Sequence, residues 1–372
     1  MLTSSFPCVA EHIARLTPYQ PGKTSEEVKR EFGLERVIKL ACNENPFGPS
    51  PMAKAAAMQA LQEAHYYPDS AGYALRRALS QNYRVKFENI IIGAGSEGIL
   101  ASIVRAYLNG NDEALTSDGT FIGFTVLIRS QGIPLRCVPL RNYAYDLVAM
   151  ARAITPRTKL IYLANPNNPT GTLIDRAAFE DFYSKVPGHI LLIMDEAYHE
   201  FVGSEPAYPD SQLYRHDNVF TLRTFSKAYG LAGLRIGYGI AHETIIEQLL
   251  KIKLPFEPNH IAQAAALAAF ADREFVKRTI ASNVKGLETL YDGLARLGMV
   301  HVRSFGNFVM IDLGSSKRVQ WFSRRLLERG IIIRPLAAFG LPDCLRITVG
   351  LPEENELLLS ELANLLKQES VV

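Results

Sequence analysis

The sequence predicts an α/β protein in which a large, mostly parallel sheet is covered by helices on both faces and joined to a smaller α+β domain. Three observations carry that expectation. Between residues 89 and 222, short apolar runs alternate with amphipathic stretches through short connections, the pattern of strands and helices in turn. The run Ile190, Leu191, Leu192, Ile193, Met194 is apolar without alternation, as a strand buried on both faces requires. At 372 residues the chain is too long for one small core and suits a large domain with a smaller companion.

Residues 1–37 form a lead-in, expected to pack as a strap on the small domain: a short helix over 10–16, the turn-rich TPYQPGK, then a charged helix over 25–31. ACNENPFGPS is too dense in Asn, Pro and Gly for regular structure and ends in Ser50, an N-cap with Pro51 at the first helical position. Helices are expected over 51–64 and 71–84, followed by a strand over 89–92, a glycine-rich turn and a helix to 108. Strands over 113–116, 135–139, 159–164, 190–194 and 219–222 then alternate with helices over 121–131, 147–154 and 176–186. After a helix over 244–253, the Pro-rich KLPFEPN reads as a joint, which divides the chain into a large domain, 38–260, and a small one, 261–372. The small domain is expected to hold an alanine-rich helix from 261, a helix over 273–297, strands near 301–303, 308–313, 331–334 and 345–349, and helices over 317–329 and 353–367.

Composition narrows the partners. Forty basic residues against 38 acidic ones leave a net charge of +2 with no run of like charge, so neither nucleic acid nor an anionic membrane is expected. No basic segment leads into an apolar one at the N-terminus, and no apolar run has membrane-spanning length, which points to a cytoplasmic protein. Cys8, Cys42, Cys137 and Cys344 form no C-x-x-C pair, and His199-Glu200 completes no H-E-x-x-H, so no metal site is expected.

The chemistry gathers around TLRTFSKAYGLAGLRIGY, residues 221–238. Lys227 follows an apolar strand, between the hydroxyls of Thr224 and Ser226 and a glycine-rich run ending in Arg235. A lysine at a buried strand end is either an ion-pair partner or an amine depressed enough to attack a carbonyl. The neighbouring hydroxyls and Arg235 suit a phosphate, and an amine beside a phosphate site suggests pyridoxal phosphate. Gly93 to Gly98 matches G-x-G-x-x-G between a strand and a helix, with Asp118 about twenty residues on. Alone it fits a nicotinamide dehydrogenase equally well, because glycines at a helix N-terminus admit any phosphate, and Ser96 adds a hydroxyl.

Four more features have both a structural and a functional reading. Asn165-Pro-Asn-Asn-Pro-Thr-Gly171 is turn chemistry, yet it sets Asn168 at a strand end where ligands bind. Asp195 ends the apolar run 190–194, and a buried carboxylate needs a partner: an arginine, or a protonated pyridine nitrogen. Phe121 opens a helix and serves as core or as a ring to stack on a cofactor. Arg334 and Arg346, on apolar strands, call for anions, from Asp and Glu or from a substrate's carboxylate and phosphate.

Taken together, the motifs LTPYQPGK, KLACNENPFGPSP, YYPDSAGYALRRAL, ANPNNPTGT, MDEAYHEF, RTFSKAYGLAGLRIGY, GIIIRPL and LRITVG, in that order along nearly the whole chain, resemble the fold-type I aminotransferases dependent on pyridoxal phosphate, and most closely their histidinol-phosphate aminotransferase branch. The ordered set outweighs the single glycine fingerprint. The resemblance implies that Lys227 is the Schiff-base lysine and proton carrier, that Asp195 pairs with the pyridine nitrogen, and that Tyr198 and Asn168 bind the ring's 3-oxygen. It further implies that Phe121 stacks on the ring, that Gly95, Ser96, Thr224, Ser226 and Arg235 hold the phosphate, and that Tyr67 reaches the partner's site across a homodimer interface. Arg346, Arg334, Asn43 and Tyr19 would bind substrate, an amino donor and then a 2-oxo acid such as 2-oxoglutarate in a ping-pong cycle. Two departures stand out. Phe124 replaces the tyrosine common three residues after the stacking position, and Pro335 with RPLAAFGLP resembles a subgroup that also takes aromatic amino acids.

Overall fold

The computed structural model describes residues 8–18, 22–203 and 205–369. A seven-stranded sheet runs, in spatial order, Ile90–Gly93, Gly237–Ile240, Val219–Thr224, Leu191–Asp195, Thr158–Ala164, Glu113–Ser117, Leu135–Val138. Every neighbouring pair is parallel except those made by Gly237–Ile240, which is antiparallel on both sides. The expected mostly parallel sheet is therefore present, with one strand the sequence reading left out. That strand holds two glycines, which carry little strand propensity, and both are there for close approach. A Cβ on Gly237 would collide with the Ser96 amide, and one on Gly239 with the Phe220 ring.

The apolar runs explain the layers. Leu191 and Ile193 join Tyr162 and Phe124 in a core on one face of the sheet, while Leu192 and Met194 join Ile161 and Phe179 on the other. Each fully buried large apolar side chain contributes about 1.5–3 kcal/mol, so both faces favour this burial. Strands covered on both sides end at a carboxyl edge where side chains meet without regular backbone pairing, the usual place for a ligand.

A four-stranded antiparallel sheet follows, ordered Arg334–Pro335, Cys344–Thr348, Phe308–Asp312, Val300–Val302. Helices Arg273–Arg296, Ser316–Glu328 and Pro352–Glu369 cover it through a core that includes Leu290, Phe322 and Leu358. Two sets of contacts cross the expected division. Helix His260–Ala271 packs its small faces on Pro51–Leu61 and, through Ala262 and Ala266, on the core beneath Ile92 and Tyr238 of the large sheet. Ile38–Lys39 pairs in parallel with Ile331–Ile332.

The lead-in also divides. Helix Ser25–Phe32, capped by Thr24 and Glu27, packs Val28 and Phe32 against Ile332 and Leu327. Glu11–Ala14 instead lies on helix Ile122–Ser130, where Gly132 leaves room for the His12 ring.

Candidate active site

The carboxyl ends of three parallel strands build the site. Leu191–Asp195 delivers Asp195, Thr158–Ala164 delivers the turn that carries Asn168, and Val219–Thr224 delivers Thr224, Ser226 and Lys227. Helix Gly95–Tyr107 brings its first turn, with backbone amides that no helix satisfies internally, to the same space, which Ser96 and Glu97 line. A cavity of about 200 Å³ results, lined by Ser96, Phe121, Asn168, Asp195, Tyr198, Thr224, Ser226, Lys227 and Arg235. Nine residues scattered over 140 positions of sequence thus meet around one space.

Lys227 donates from Nζ to the Cys42 carbonyl at 3.1 Å and lies 5.9 Å from the centre of the Tyr198 ring. Burial, with Arg346 nearby, lowers its pKa to about 8, so about a tenth of the amine is uncharged at pH 7. Asp195 accepts at Oδ2 from the Tyr162 hydroxyl at 2.7 Å and at Oδ1 from the Ala197 amide at 3.1 Å. Burial raises its pKa to about 6, and the Tyr162 donor restrains that rise. The arginine that a buried carboxylate calls for goes to the adjacent residue instead: Arg223 donates twice to Glu196, at 3.0 and 2.7 Å, and once to Asp210 at 2.7 Å. Glu196, His199 and Asp210 do come within 4.8 Å of one another, with the Arg223 guanidinium already bound to both carboxylates.

At the other end of the cavity, Thr224 Oγ1 donates to Ser226 Oγ at 3.0 Å and accepts from the Ser226 amide at 3.1 Å. Gly95 has φ +76°, and a Cβ there would stand 2.8 Å from Arg235 Nη2, so the missing side chain lets the guanidinium lie over the helix start. Arg235, itself at φ +56°, donates to the Ala232 carbonyl and stands 3.9 Å from Glu97. This set fits pyridoxal phosphate: hydroxyls, a guanidinium and helix amides for an anion, a buried carboxylate for a cationic ring nitrogen, and a depressed lysine for an aldehyde.

The remaining residues expected at the site fall in several places. Arg346 donates to Asn168 Oδ1 and to the Ala41 carbonyl, with its guanidinium 5.4 Å from the Phe308 ring. Arg334 is its cross-strand neighbour, 6.0 Å from the Phe339 ring, with Gly22 of the lead-in alongside. Tyr19 lies outside the described residues. Asn43, expected at the substrate, is buried at φ +55°, donating to the Tyr198 hydroxyl at 2.7 Å and accepting from Thr348 at 3.0 Å. Tyr67 stands on the surface, 80% exposed and stacked on Phe256, away from the cavity of its own chain. Asp118, the acid of the dinucleotide reading, lines a separate cleft with Ile122 and Cys137. Tyr162 and Thr348 were not anticipated. Tyr162 did leave one signal, a hydroxyl within the aliphatic run 160–164, since buried tyrosines find a partner.

Comparison with known proteins decides the family. A family model described as aminotransferase class I and II matches residues 35–362. The chain belongs to that family. A histidinol-phosphate aminotransferase of Methylobacillus flagellatus is 41% identical over 369 residues, covering 98% of this chain and 99% of the relative. One from Bacillus velezensis is 44% identical over 361 residues, covering 96% and 99%. Among solved structures, the Sinorhizobium meliloti histidinol-phosphate aminotransferase in complex with pyridoxal-5'-phosphate superposes with a TM-score of 0.90 at 31% identity, covering 98% of this chain and 99% of that one. Aspartate aminotransferase from Thermus thermophilus with maleate gives 0.83 at 25% identity, covering 96% and 100%. Within the class I and II aminotransferases, the chain lies in the histidinol-phosphate branch that its motifs resemble.

Proposed function

We propose that this aminotransferase uses pyridoxal phosphate to move the amino group of histidinol phosphate to a 2-oxo acid such as 2-oxoglutarate. The observation that carries the reading is Lys227: a part-buried amine with its pKa lowered to about 8, in the same small cavity as the Asp195 carboxylate. Names carried by relatives at 41–44% identity over nearly the whole chain support the substrate. When bound, the cofactor supplies the electron sink that lets a substrate Cα–H bond break.

The chain's own groups do the rest. Lys227 Nζ, uncharged in part near neutral pH, takes the Cα proton and returns it on the other side of the transfer. Asp195, held as an anion by the Tyr162 and Ala197 donors, stabilises positive charge on the ring nitrogen. Asn168 and Tyr198 orient the ring's oxygen, Phe121 packs on its face, and Gly95, Ser96, Thr224, Ser226 and Arg235 hold the phosphate. Arg346 and Arg334, adjacent across two strands, present guanidinium groups to the substrate's anionic end.

The assembly we infer is a homodimer in which Tyr67 enters the partner's site. Exposure of 80% on an aromatic residue held in place by Phe256 agrees with it. A cytoplasmic location agrees with four free cysteines, and no described helix is long and apolar enough to cross a membrane. We keep residues 38–260 and 261–372 as the large and small domains, with His260–Ala271 and Ile38–Lys39 as the crossing contacts between them.

Initial-rate kinetics test the reading. Histidinol phosphate with 2-oxoglutarate should give parallel double-reciprocal lines, the mark of a ping-pong cycle. Arg334→Leu should lower kcat/KM for histidinol phosphate by about a hundredfold, the worth of a charge-assisted bond to phosphate, and spare phenylalanine. Equal losses on the two substrates would remove Arg334 from phosphate recognition.

A further inference from the structure

Asp195 is held by a group outside the expected site. Tyr162 is fully buried in the strand beside it, and the two strands run parallel with Ala164 opposite Asp195. Side chains two residues apart on a strand share a face, so Tyr162 lies on the same side as the residue opposite Asp195. Its hydroxyl donates to Asp195 Oδ2 at 2.7 Å. The Phe124 ring lies flat on the tyrosine, 4.5 Å between centroids and 11° between planes, and is fully buried as well. Phe124 carries no hydroxyl, so of the two stacked rings it is Tyr162 that donates to Asp195.

We propose that Tyr162 is a positioning residue for transamination: its hydroxyl, braced by the Phe124 ring, fixes the Asp195 carboxylate and keeps it anionic so that the proton of the pair stays on the cofactor's ring nitrogen. The assignment rests on the proposed function, with Asp195 facing that nitrogen. Its physical basis is that a hydrogen bond to a buried carboxylate favours the ionised form, and without it the proton has a more basic oxygen to move to. A core tyrosine with an incidental partner would fill the same space, so the test must read the ring nitrogen and not activity alone.

The full-length protein loaded with pyridoxal phosphate labelled with ¹⁵N in the ring reports the nitrogen's protonation by its chemical shift. Wild type is expected to show the protonated form. Tyr162→Phe, which keeps the ring and its stack, is expected to move the signal toward the neutral form, to weaken cofactor affinity about tenfold or more, the usual effect of losing a bond to a charged group, and to lower kcat. Tyr145→Phe removes a part-buried hydroxyl that bonds Thr120 and the Ala164 amide, and is expected to lower the melting temperature while leaving the nitrogen signal in place. A Tyr162→Phe protein with wild-type nitrogen shift and affinity would overturn the proposal. A wild-type protein that never takes up the cofactor would overturn the parent reading and this one with it, before any variant is made.

Discussion

Lys227 and Asp195 were legible as residues because each follows an apolar run and so had to sit at a buried strand end, where a charge requires a reason. Geometry adds what pairs with what. Tyr162 stood out in no motif, since which hydroxyl meets which carboxylate depends on the register of two strands 33 residues apart, and sequence spacing does not reveal that. The same holds for Asn43, whose amide turns to Tyr198 because a left-handed backbone and the Thr348 hydroxyl fix it there. At this scale the lysine makes a pH prediction. Its pKa of about 8 is set first by burial and then by Arg346, so the amine gains its nucleophilic form as pH rises through 8. Capture of pyridoxal phosphate by the cofactor-free protein, followed by stopped-flow absorbance, should speed up about tenfold per unit below pH 8 and level off above it. Arg346→Leu removes a neighbouring cation and should move that profile to higher pH; an unmoved profile would mean that Arg346 does not act on the amine.

Elements were read well where periodicity was long and poorly where glycine intervened. The six strands expected in the large sheet are present, whereas Gly237–Ile240 was missed because its glycines serve its neighbours more than the strand itself. That strand brings the start of helix Gly95–Tyr107 to the end of Val219–Thr224, which is how hydroxyls and helix amides come to share one end of the cavity. Gly237→Ala would push a methyl group onto the Ser96 amide and the Arg223 carbonyl, backbone atoms that yield only if the elements separate. It should cost about 1–3 kcal/mol of stability and weaken cofactor binding. Gly110→Ala, with open space around it, should stay within about 0.5 kcal/mol of wild type in thermal unfolding. Equal melting temperatures for the two would show that the close approach at Gly237 is not needed.

For the whole molecule, the two-part architecture followed from length and strand order, but the traffic between the parts did not. Alanine-rich His260–Ala271 opens the expected small domain, and its small side chains let it lie close on Pro51–Leu61. A periodic pattern tells which face is buried and not against what. The proposed dimer belongs to this scale. A site completed by the partner's Tyr67 predicts that inactive Tyr67→Ala and Lys227→Ala proteins regain activity when unfolded and refolded together. Recovery should approach about a quarter of wild type, because half of randomly paired dimers would then carry one complete site. No recovery, with mixed dimers verified by mass, would place Tyr67 outside the partner's site.

The central claim is a half-reaction, and it is tested most directly without the second substrate. Protein loaded with pyridoxal phosphate should lose its visible absorbance band when histidinol phosphate alone is added, and recover it with 2-oxoglutarate. The account predicts that L-phenylalanine, the comparator suggested by Pro335, produces this change only at far higher concentration. A band that phenylalanine discharges as readily as histidinol phosphate, or that histidinol phosphate leaves untouched, would contradict it.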